Sequence, residues 1–172
     1  MAIDIRSLIR DIPDFPEPGI VFRDITPLLS DASAYRTAIE AMAAPFADAA
    51  IDQVAAIEAR GYLLGCPMAL ALGTGFVPVR KVGKLPFETF RATYVLEYGE
   101  AEIEMHRDGL LYHHRVLLVD DVLATGGTMA ATISLVEQSG ATVAGIAVLI
   151  ELAALGGREA LGGREVFSLM TL

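Results

Sequence analysis

The sequence predicts a single α/β domain over residues 1–172, with a central, mostly parallel sheet flanked by helices. Two segments, 53–80 and 116–150, have the strand, helix, strand order of a parallel unit. In each, a glycine closes the helical pattern, Gly73 in the first and Gly140 in the second. A chain of 172 residues can bury one layered core, so one domain is expected.

The N-terminal segment is expected to be less regular. Its apolar positions recur at helical spacing and predict a short amphipathic helix; they are Ile5, Leu8, Ile9 and Ile12. Pro13 is predicted to end this helix. Residues 14–19 contain two prolines and a glycine, which predicts a shaped loop leading into 20–24. An alanine-rich helix is expected from 33 to about 50.

The first parallel unit begins with the buried strand 53–57, and residues 58–61 then turn the chain. A helix is predicted from Tyr62 to Leu72, and a second strand from Phe76 to Arg80. This order predicts that the two strands are parallel neighbours in the sheet.

A β-hairpin is predicted after the first unit. Its arms are 93–98 and 101–106, and Gly99 and Glu100 form the turn. In the second arm, apolar residues alternate with polar ones, the latter being Glu102, Glu104 and His106. One face of the hairpin is therefore expected to contact water.

The second parallel unit contains the apolar strand 116–119, which ends in Asp120 and Asp121. A helix from Met129 to Ser139 and a strand from Val143 to Ile150 complete it. The tail that follows contains near-duplicate segments, which are 155–160 and 161–166. They are far shorter than the periods of repeat proteins, so we interpret them as a local coincidence.

The charge distribution limits the possible ligands. A net charge of -9 argues against a general affinity for nucleic acid, which needs a basic surface. The only lysines of the chain, Lys81 and Lys84, lie beside Arg80. We expect a polyanionic ligand to meet this local basic cluster.

Several cellular contexts are disfavoured. No apolar stretch is long enough to span a bilayer, and the N-terminus lacks the features of a secretory signal, so we expect no membrane contact and a cytoplasmic location. The single cysteine, Cys66, has apolar neighbours and no companion ligands. We expect it to be a packed thiol.

Residues 120–128 lie where a buried parallel strand gives way to a helix, which is where open α/β sheets bind ligands. Small residues and threonines there can direct amides and hydroxyls at a phosphate; they are Ala124, Thr125, Gly126, Gly127 and Thr128. The adjacent carboxylates of Asp120 and Asp121 need donors, and ribose hydroxyls are suitable. The segment therefore predicts a sugar-phosphate site.

Other glycine-rich motifs fit less well. A P-loop has a lysine after its glycines, which is missing after Gly127, and 73–75 lacks the third glycine of a dinucleotide fingerprint. A plain strand-to-helix turn remains the alternative interpretation of 120–128.

Residues 116–128 resemble the signature of type I phosphoribosyltransferases, in which two acidic residues precede a Thr-Gly-Gly-Thr loop. Further segments resemble the adenine-specific members of that family; they are 14–29, 58–65, 80–86, 96–99 and 151–159. The resemblance implies the type I phosphoribosyltransferase fold, with residues 1–30 as a purine-binding hood and 81–106 as a lid loop and hairpin. It also implies a purine-salvage reaction in which adenine and phosphoribosyl pyrophosphate give AMP and pyrophosphate.

The same resemblance implies roles for the charged residues. The loop from Ala124 to Thr128 would hold the 5-phosphate, and Asp120 and Asp121 the ribose hydroxyls. Pyrophosphate would meet a set of residues that comprises Ala59, Arg60, Arg80, Lys81 and Lys84. The peptide bond preceding Arg60 is expected to be cis, as in relatives.

The resemblance places adenine between Phe22 and Val122, with backbone contacts from Val21. Arg23 would lie near N7 of the base. Core packing of Phe22, and a surface ion pair of Arg23 with Asp24, are the alternative interpretations.

Two further residues bear on the choice of base. Relatives that act on hypoxanthine and guanine carry an aspartate where this chain has Ala124, which favours adenine. Glu97, in the family-like segment 96–99, is expected to be the acid/base group. As an isolated residue it would instead be a water-facing residue of the hairpin.

The resemblance further implies Mg²⁺, carried largely by the substrate without direct protein ligands. It implies a homodimer in which one residue of the basic cluster reaches across the interface. Two rival functions remain. A transferase for a 6-oxopurine such as xanthine is disfavoured by Ala124 and by 21–23, and a regulator without catalysis is disfavoured by the lack of a basic surface.

Overall fold

The computed structural model describes residues 4–96 and 99–172. The strands of this part of the chain are β1 (Arg10–Pro13), β2 (Val21–Asp24), β3 (Gln53–Ile57), β4 (Gly75–Lys81), β5 (Thr89–Leu96), β6 (Gly99–His106), β7 (Arg115–Leu123), β8 (Thr142–Glu151) and β9 (Val166–Thr171). Its α-helices are α1 (Thr26–Ser30), α2 (Ala32–Ala43), α3 (Arg60–Leu72) and α4 (Gly127–Gln138). Its 3₁₀ helices are Ile5–Leu8, Ala44–Phe46, Ala153–Leu155 and Gly157–Leu161.

The main sheet has the strand order β5-β6-β4-β3-β7-β8-β9. Strands β4, β3, β7, β8 and β9 run parallel, and the β5–β6 hairpin joins them antiparallel through β4. The predicted mostly parallel sheet is confirmed. The carboxyl ends of β3, β4 and β7 therefore lie side by side at one edge.

Helices cover both faces of this sheet. On β3, Val54 and Ala56 pack into the core that includes Leu64 of α3, whereas Ala55 and Ile57 pack into the core that includes α4. A strand buried on both faces has a continuous apolar sequence rather than an alternating one. This explains why the apolar run 53–57 predicts β3 with the bounds that the structure has.

The glycines predicted to close helices do so. Gly73 follows α3 in the left-handed conformation with φ 68°, which a residue without a Cβ adopts easily. Helix α2 ends at Ala43, earlier than the predicted limit near residue 50. Pro45 lies in the 3₁₀ turn that follows, and it has no N–H to continue an α-helix.

The predicted first helix is wrong beyond its first turn. Residues Ile5–Leu8 form a 3₁₀ helix, but Ile12 lies in β1 and pairs with Phe22 of β2. Antiparallel pairing with β2, the next strand of the chain, satisfies the backbone here, and helical spacing alone does not reveal it.

The hairpin is confirmed, and Glu102 is exposed as predicted, but the predicted turn and the predicted exposure of Glu104 are wrong. Gly99 and Glu100 are the first residues of β6, paired with Leu96 and Val95 of β5. Glu104 is only 1% exposed. Its side chain turns inward because backbone N–H groups of the segment 83–85 donate to it.

The outer face of α3 is apolar and exposed. Cys66 is exposed there, beside Leu63 and Leu70, so the expectation of a packed thiol is wrong. Gly65 and Met68 occupy the sheet side of the helix instead. Across residues 4–96 and 99–172, no helix has both the length and the apolar character needed to cross a membrane.

Candidate active site

A cleft of about 290 Å³ opens at the carboxyl edge of β3, β4 and β7. Its walls come from these strand ends and from the hairpin, and they comprise Ile57, Glu58, Ala59, Arg60, Lys81, Tyr94, Ile103, Asp120, Asp121, Val122, Ala124 and Thr128. The fold thus brings together residues that are distant in sequence. Tyr94 and Ile103 come from the hairpin, and the others come from strand ends or from the segments that follow them.

The 124–128 loop joins β7 to α4, as the sequence predicts. It encloses a recess of about 70 Å³ with Asp120 at one side. Gly126 has φ 84°, and α4 begins at Gly127, so the free amides of the first helical turn lie next to the recess. Such a helix start attracts an anion.

The acidic pair lies at the end of β7. Asp121 is 4% exposed, and Asp120 is partly exposed. Burial, and then the Asp121 charge, raise the pKa of Asp120 well above its usual range. Burial also raises the pKa of Asp121, although the Arg60 charge opposes it. The fold therefore holds a carboxylate pair that needs compensation.

Arg60 provides part of that compensation. Its Nε lies 2.9 Å from Asp121 Oδ2, but the two groups are not aligned as a hydrogen bond. Nη1 of Arg60 and Oδ2 of Asp121 are both buried without a hydrogen-bond partner among the described residues. The short distance makes this an ionic contact, which does not require linear geometry. Both atoms retain capacity for a ligand.

Close packing holds α3 against the acidic pair. A Cβ on Gly61 would lie 2.9 Å from Asp120 Oδ1 and 3.2 Å from the Val119 carbonyl oxygen. Only glycine allows this approach, which fixes the position of Arg60 relative to Asp121.

Phe22 contacts the same arginine. The Arg60 guanidinium carbon lies 4.7 Å from the centre of the Phe22 ring, and Phe15 packs edge-on against that ring at 5.2 Å. Val122 lines the cleft on the β7 side. Phe22 is therefore not simply a core residue, and Arg60 links it to Asp121.

Arg23 pairs with a different acid from the one considered in the sequence. Its Nη1 lies 2.6 Å from Asp11 Oδ1, because β1 and β2 place the two residues opposite each other. Asp24 instead accepts hydrogen bonds from Thr26. The alternative pairing of Arg23 with Asp24 is thus wrong. Val21, the neighbour of Phe22, is 42% exposed.

The basic cluster is organised by Glu58. Arg80 Nε donates to Glu58 Oε2 at 2.6 Å, and Lys84 Nζ lies 2.9 Å from Oε1. Burial would raise the pKa of Glu58, but contacts with Lys84 and Arg80 bring it below the ordinary value. Lys81 points elsewhere and lines the cleft.

The turn after β3 contains a cis peptide bond between Glu58 and Ala59. This is one bond earlier than the bond directly preceding Arg60, where the cis form was expected. Ala59 is the residue before α3 and lines the cleft.

Glu97 and its neighbour Tyr98 lie outside the described residues. The expected role of Glu97 is therefore untested. The strands on either side, β5 and β6, project from the edge of the sheet next to β4. No group of three or more His, Cys, Asp or Glu side chains suited to a metal ion occurs within 4–96 and 99–172.

Sequence analysis missed three residues of this region, which are Glu58, Glu104 and Gly157. Glu58 forms ion pairs with Arg80 and Lys84, and Glu104 accepts hydrogen bonds from three backbone N–H groups of the basic turn. Gly157 lies against the 124–128 loop. The position of Glu58 directly after β3 was a usable signal for the first. The duplicated glycines of the tail were a signal for the last.

Comparison with known proteins agrees with this geometry. The phosphoribosyl transferase domain model matches residues 31–164. The adenine phosphoribosyltransferase of Nocardioides sp. (strain ATCC BAA-499 / JS614) is 56% identical over 170 residues, covering 96% of this chain and 92% of its own length.

Two solved structures are similar over nearly the whole chain. The adenine phosphoribosyltransferase of Thermoanaerobacter pseudethanolicus has a TM-score of 0.96 at 50% identity, covering 98% of each chain. The Saccharomyces cerevisiae enzyme, solved with adenine and an imino-altritol bisphosphate, has a TM-score of 0.93 at 39% identity, covering 97% of each chain. With the sheet order and the acidic strand end followed by a Thr-Gly-Gly-Thr loop, these matches show that the chain belongs to the adenine phosphoribosyltransferase family.

Proposed function

We propose that this chain transfers the phosphoribosyl group of phosphoribosyl pyrophosphate to adenine, giving AMP and pyrophosphate in purine salvage. The observation that carries the proposal is one cleft containing Asp120, Asp121, Arg60 and the 124–128 loop. Adenine phosphoribosyltransferases from two other organisms are more than 50% identical to the chain in sequence.

The 124–128 loop would bind the 5-phosphate with its amides and the hydroxyls of Thr125 and Thr128. Asp120 and Asp121 would accept hydrogen bonds from the two ribose hydroxyls. Those donors would offset the cost of holding two carboxylates side by side, a cost expressed in the raised pKa of each.

Departure of pyrophosphate leaves positive character on the sugar ring, so catalysis requires stabilisation of that charge and of the leaving anion. The acidic pair would lie near the ring. The cations assigned to the leaving group are Arg60, Arg80, Lys81 and Lys84, with the Ala59 amide beside them. Lys81 and Arg60 line the cleft. Arg80 and Lys84 are ion-paired with Glu58 and would contribute positive charge to the pyrophosphate from there.

Mg²⁺ bound by pyrophosphate and ribose oxygens would add positive charge at the leaving group. Oδ2 of Asp121 accepts no hydrogen bond from the described residues, which fits an indirect contact through a ribose hydroxyl or a water. Chelation would then abolish turnover, and added Mg²⁺ would restore it.

Adenine would lie between Phe22 and Val122, with the Val21 backbone and Arg23 at its edges. Residues 1–30 would act as the purine hood, and 81–106 as the lid. Ala124 adds no carboxylate beside N7, which suits adenine better than a 6-oxopurine.

When the lid closes, Glu97 would accept the proton that adenine loses as its nitrogen bonds to the ribose carbon and pyrophosphate leaves. Glu97→Gln should lower kcat by about a hundredfold or more, the usual contribution of general acid–base catalysis. Glu102→Gln, an exposed residue of the same hairpin, is the control. Nearly full turnover of Glu97→Gln at every pH would remove this assignment.

Release of pyrophosphate from phosphoribosyl pyrophosphate, measured with adenine, hypoxanthine, guanine and xanthine in turn, tests the proposal. We expect turnover with adenine and little with the others. Faster turnover with a 6-oxopurine would replace the proposed substrate, and no turnover with any base would favour a regulator.

We also propose that the protein is a homodimer. Light scattering of the purified protein would measure its mass in solution.

A further inference from the structure

The near-duplicate tail segments have different surroundings. In the first tail copy, residues 155–160, a Cβ on Gly157 would overlap the Ala124 carbonyl oxygen and lie 3.0 Å from Leu123 Cγ. In the second tail copy, residues 161–166, a Cβ on the equivalent Gly163 would meet no atom of the described residues within 4 Å. The first copy therefore lies directly behind the 124–128 loop, and the second does not.

The contact is close from both sides. A Cβ on Gly126 would overlap the Gly157 carbonyl oxygen and lie 2.9 Å from Ala160 Cβ. Gly157 is not among the glycines with positive φ. Its requirement for glycine thus comes from the approach of two backbones, and not from an unusual conformation.

Arg158 fixes the first tail copy to the end of the sheet. Its Nε and Nη2 donate to the two carboxylate oxygens of Glu151 at 2.6 and 2.7 Å, and its Nη1 donates to the Val166 carbonyl at 3.0 Å. Glu151 is the last residue of β8 and is 8% exposed. This bidentate contact holds the first tail copy, including Gly157, in a fixed position on the sheet.

The equivalent arginine of the second tail copy has another partner. Arg164 Nη2 lies 2.5 Å from Glu137 Oε1 on the exposed surface of α4. The duplicated sequence therefore provides a matched pair of positions within one chain. One pair, Gly157 and Arg158, supports the loop, and the other, Gly163 and Arg164, does not contact it.

We propose that Gly157 is a positioning residue for phosphate-monoester binding, and that Arg158 holds it in place. The inference rests on the proposed function, because it assigns the 5-phosphate to the 124–128 loop. Backbone amides bind a phosphate only when they converge on it. The carbonyl of Ala124 and the backbone of Gly126 cannot shift backward while the first tail copy lies against them.

The proposal concerns one part of the ligand. The contact lies behind the loop and away from Phe22, so it affects the phosphate group and not the base. AMP and adenosine differ only in that phosphate. The ratio of their affinities therefore reports on the loop, whereas a general loss of stability would weaken both ligands together.

The test is Gly157→Ala, with AMP and adenosine binding measured by titration calorimetry. We expect AMP to bind about 10- to 100-fold more weakly, since displacing a positioned group by about 1 Å costs on this order. Adenosine affinity should not change. In turnover, the KM for phosphoribosyl pyrophosphate should rise, while the KM for adenine stays near its original value.

Gly163→Ala is the control. It places alanine at φ 77°, a backbone cost that Gly157→Ala does not have, but far from the loop. We expect its ratio of AMP to adenosine affinity to equal that of the unmodified protein. If Gly157→Ala does not fold, Arg158→Lys compared with Arg164→Lys makes the same test, since lysine keeps the charge but loses the bidentate contact.

An unchanged ratio in folded Gly157→Ala, or in Arg158→Lys where the former does not fold, would overturn the proposal. An equal loss in Gly163→Ala would do so as well, since it would identify a general destabilisation. An unmodified protein that binds AMP no better than adenosine would refute the proposed function, and the inference with it.

Discussion

The two strand-to-helix turns of the cleft differ in what they present to a ligand. The turn after β3 presents side chains, with Arg60 on Asp121 and Glu58 holding Arg80 and Lys84. The loop after β7 presents backbone amides and two threonine hydroxyls but no charged side chain, because 124–128 contains only alanine, glycine and threonine. A side-chain site is set by ion pairs, whereas a backbone site depends on what packs behind it. Substitutions should therefore affect the two turns in different ways.

The largest effect is expected from Arg60→Ala. Losing a charge positioned at the leaving group should lower kcat/KM for phosphoribosyl pyrophosphate by about a hundred- to a thousandfold. The kcat/KM of Arg60→Lys should lie between those of Arg60→Ala and the unmodified protein, since lysine keeps the charge but not the planar guanidinium. Steady-state kinetics measures both. Equal rates for Arg60→Ala and the unmodified protein would mean that the turn after β3 is structural.

Glu104→Ala should have the next largest effect. Three backbone N–H groups of the turn 83–85 lose their acceptor, and we expect a loss of about 2 kcal/mol in the free energy of unfolding in urea. The KM for phosphoribosyl pyrophosphate should also rise as the basic turn loosens. Glu102→Ala, exposed on the same strand, should cost less than about 0.5 kcal/mol. Similar losses for both would contradict the role of Glu104.

Asp120→Asn is expected to change the stability less than Glu104→Ala does, and with the opposite sign. Burial and the Asp121 charge raise the pKa of Asp120 above its ordinary 3.8, so the fold favours the protonated acid. The stability it contributes is present at acid pH and is lost as pH rises from 3.8 through the raised pKa. Asparagine carries no charge. The variant should therefore gain about 1 kcal/mol at neutral pH, or roughly 2–4 °C in Tm.

The pH dependence sharpens this prediction. The gain should vanish as pH falls toward the ordinary value, and turnover should decrease at pH values above the raised pKa of Asp120, where the ribose hydroxyls lose an ionised acceptor. Thermal unfolding at neutral and acid pH, together with the adenine assay, measures both. A variant less stable than the unmodified protein at neutral pH would contradict the raised pKa.

How far the sequence predicts this molecule depends on the range of the contacts. The parallel units and the loop after Asp121 were predicted because apolar runs and helix-closing glycines are local signals. Ile12 was placed in a helix because its pairing with Phe22 is invisible to local spacing. Strand β9 was not predicted at all, since its place beside β8 depends on the sheet.

The candidate site follows the same division. Asp120, Asp121 and the loop glycines were found as one motif, but the contact of Arg60 with Phe22 joins segments far apart in the chain. Glu104 was predicted to be exposed because apolar and polar residues alternate along its strand. Its burial results from the amides of another segment that need an acceptor.

The position of Arg60 between Phe22 and Asp121 has a thermodynamic consequence. A ligand that draws this guanidinium toward itself alters the surface offered at the aromatic ring, so occupancy at either end changes affinity at the other. Linkage requires the two changes to be equal. Adenine affinity measured with and without pyrophosphate should then shift by the same factor as pyrophosphate affinity measured with and without adenine.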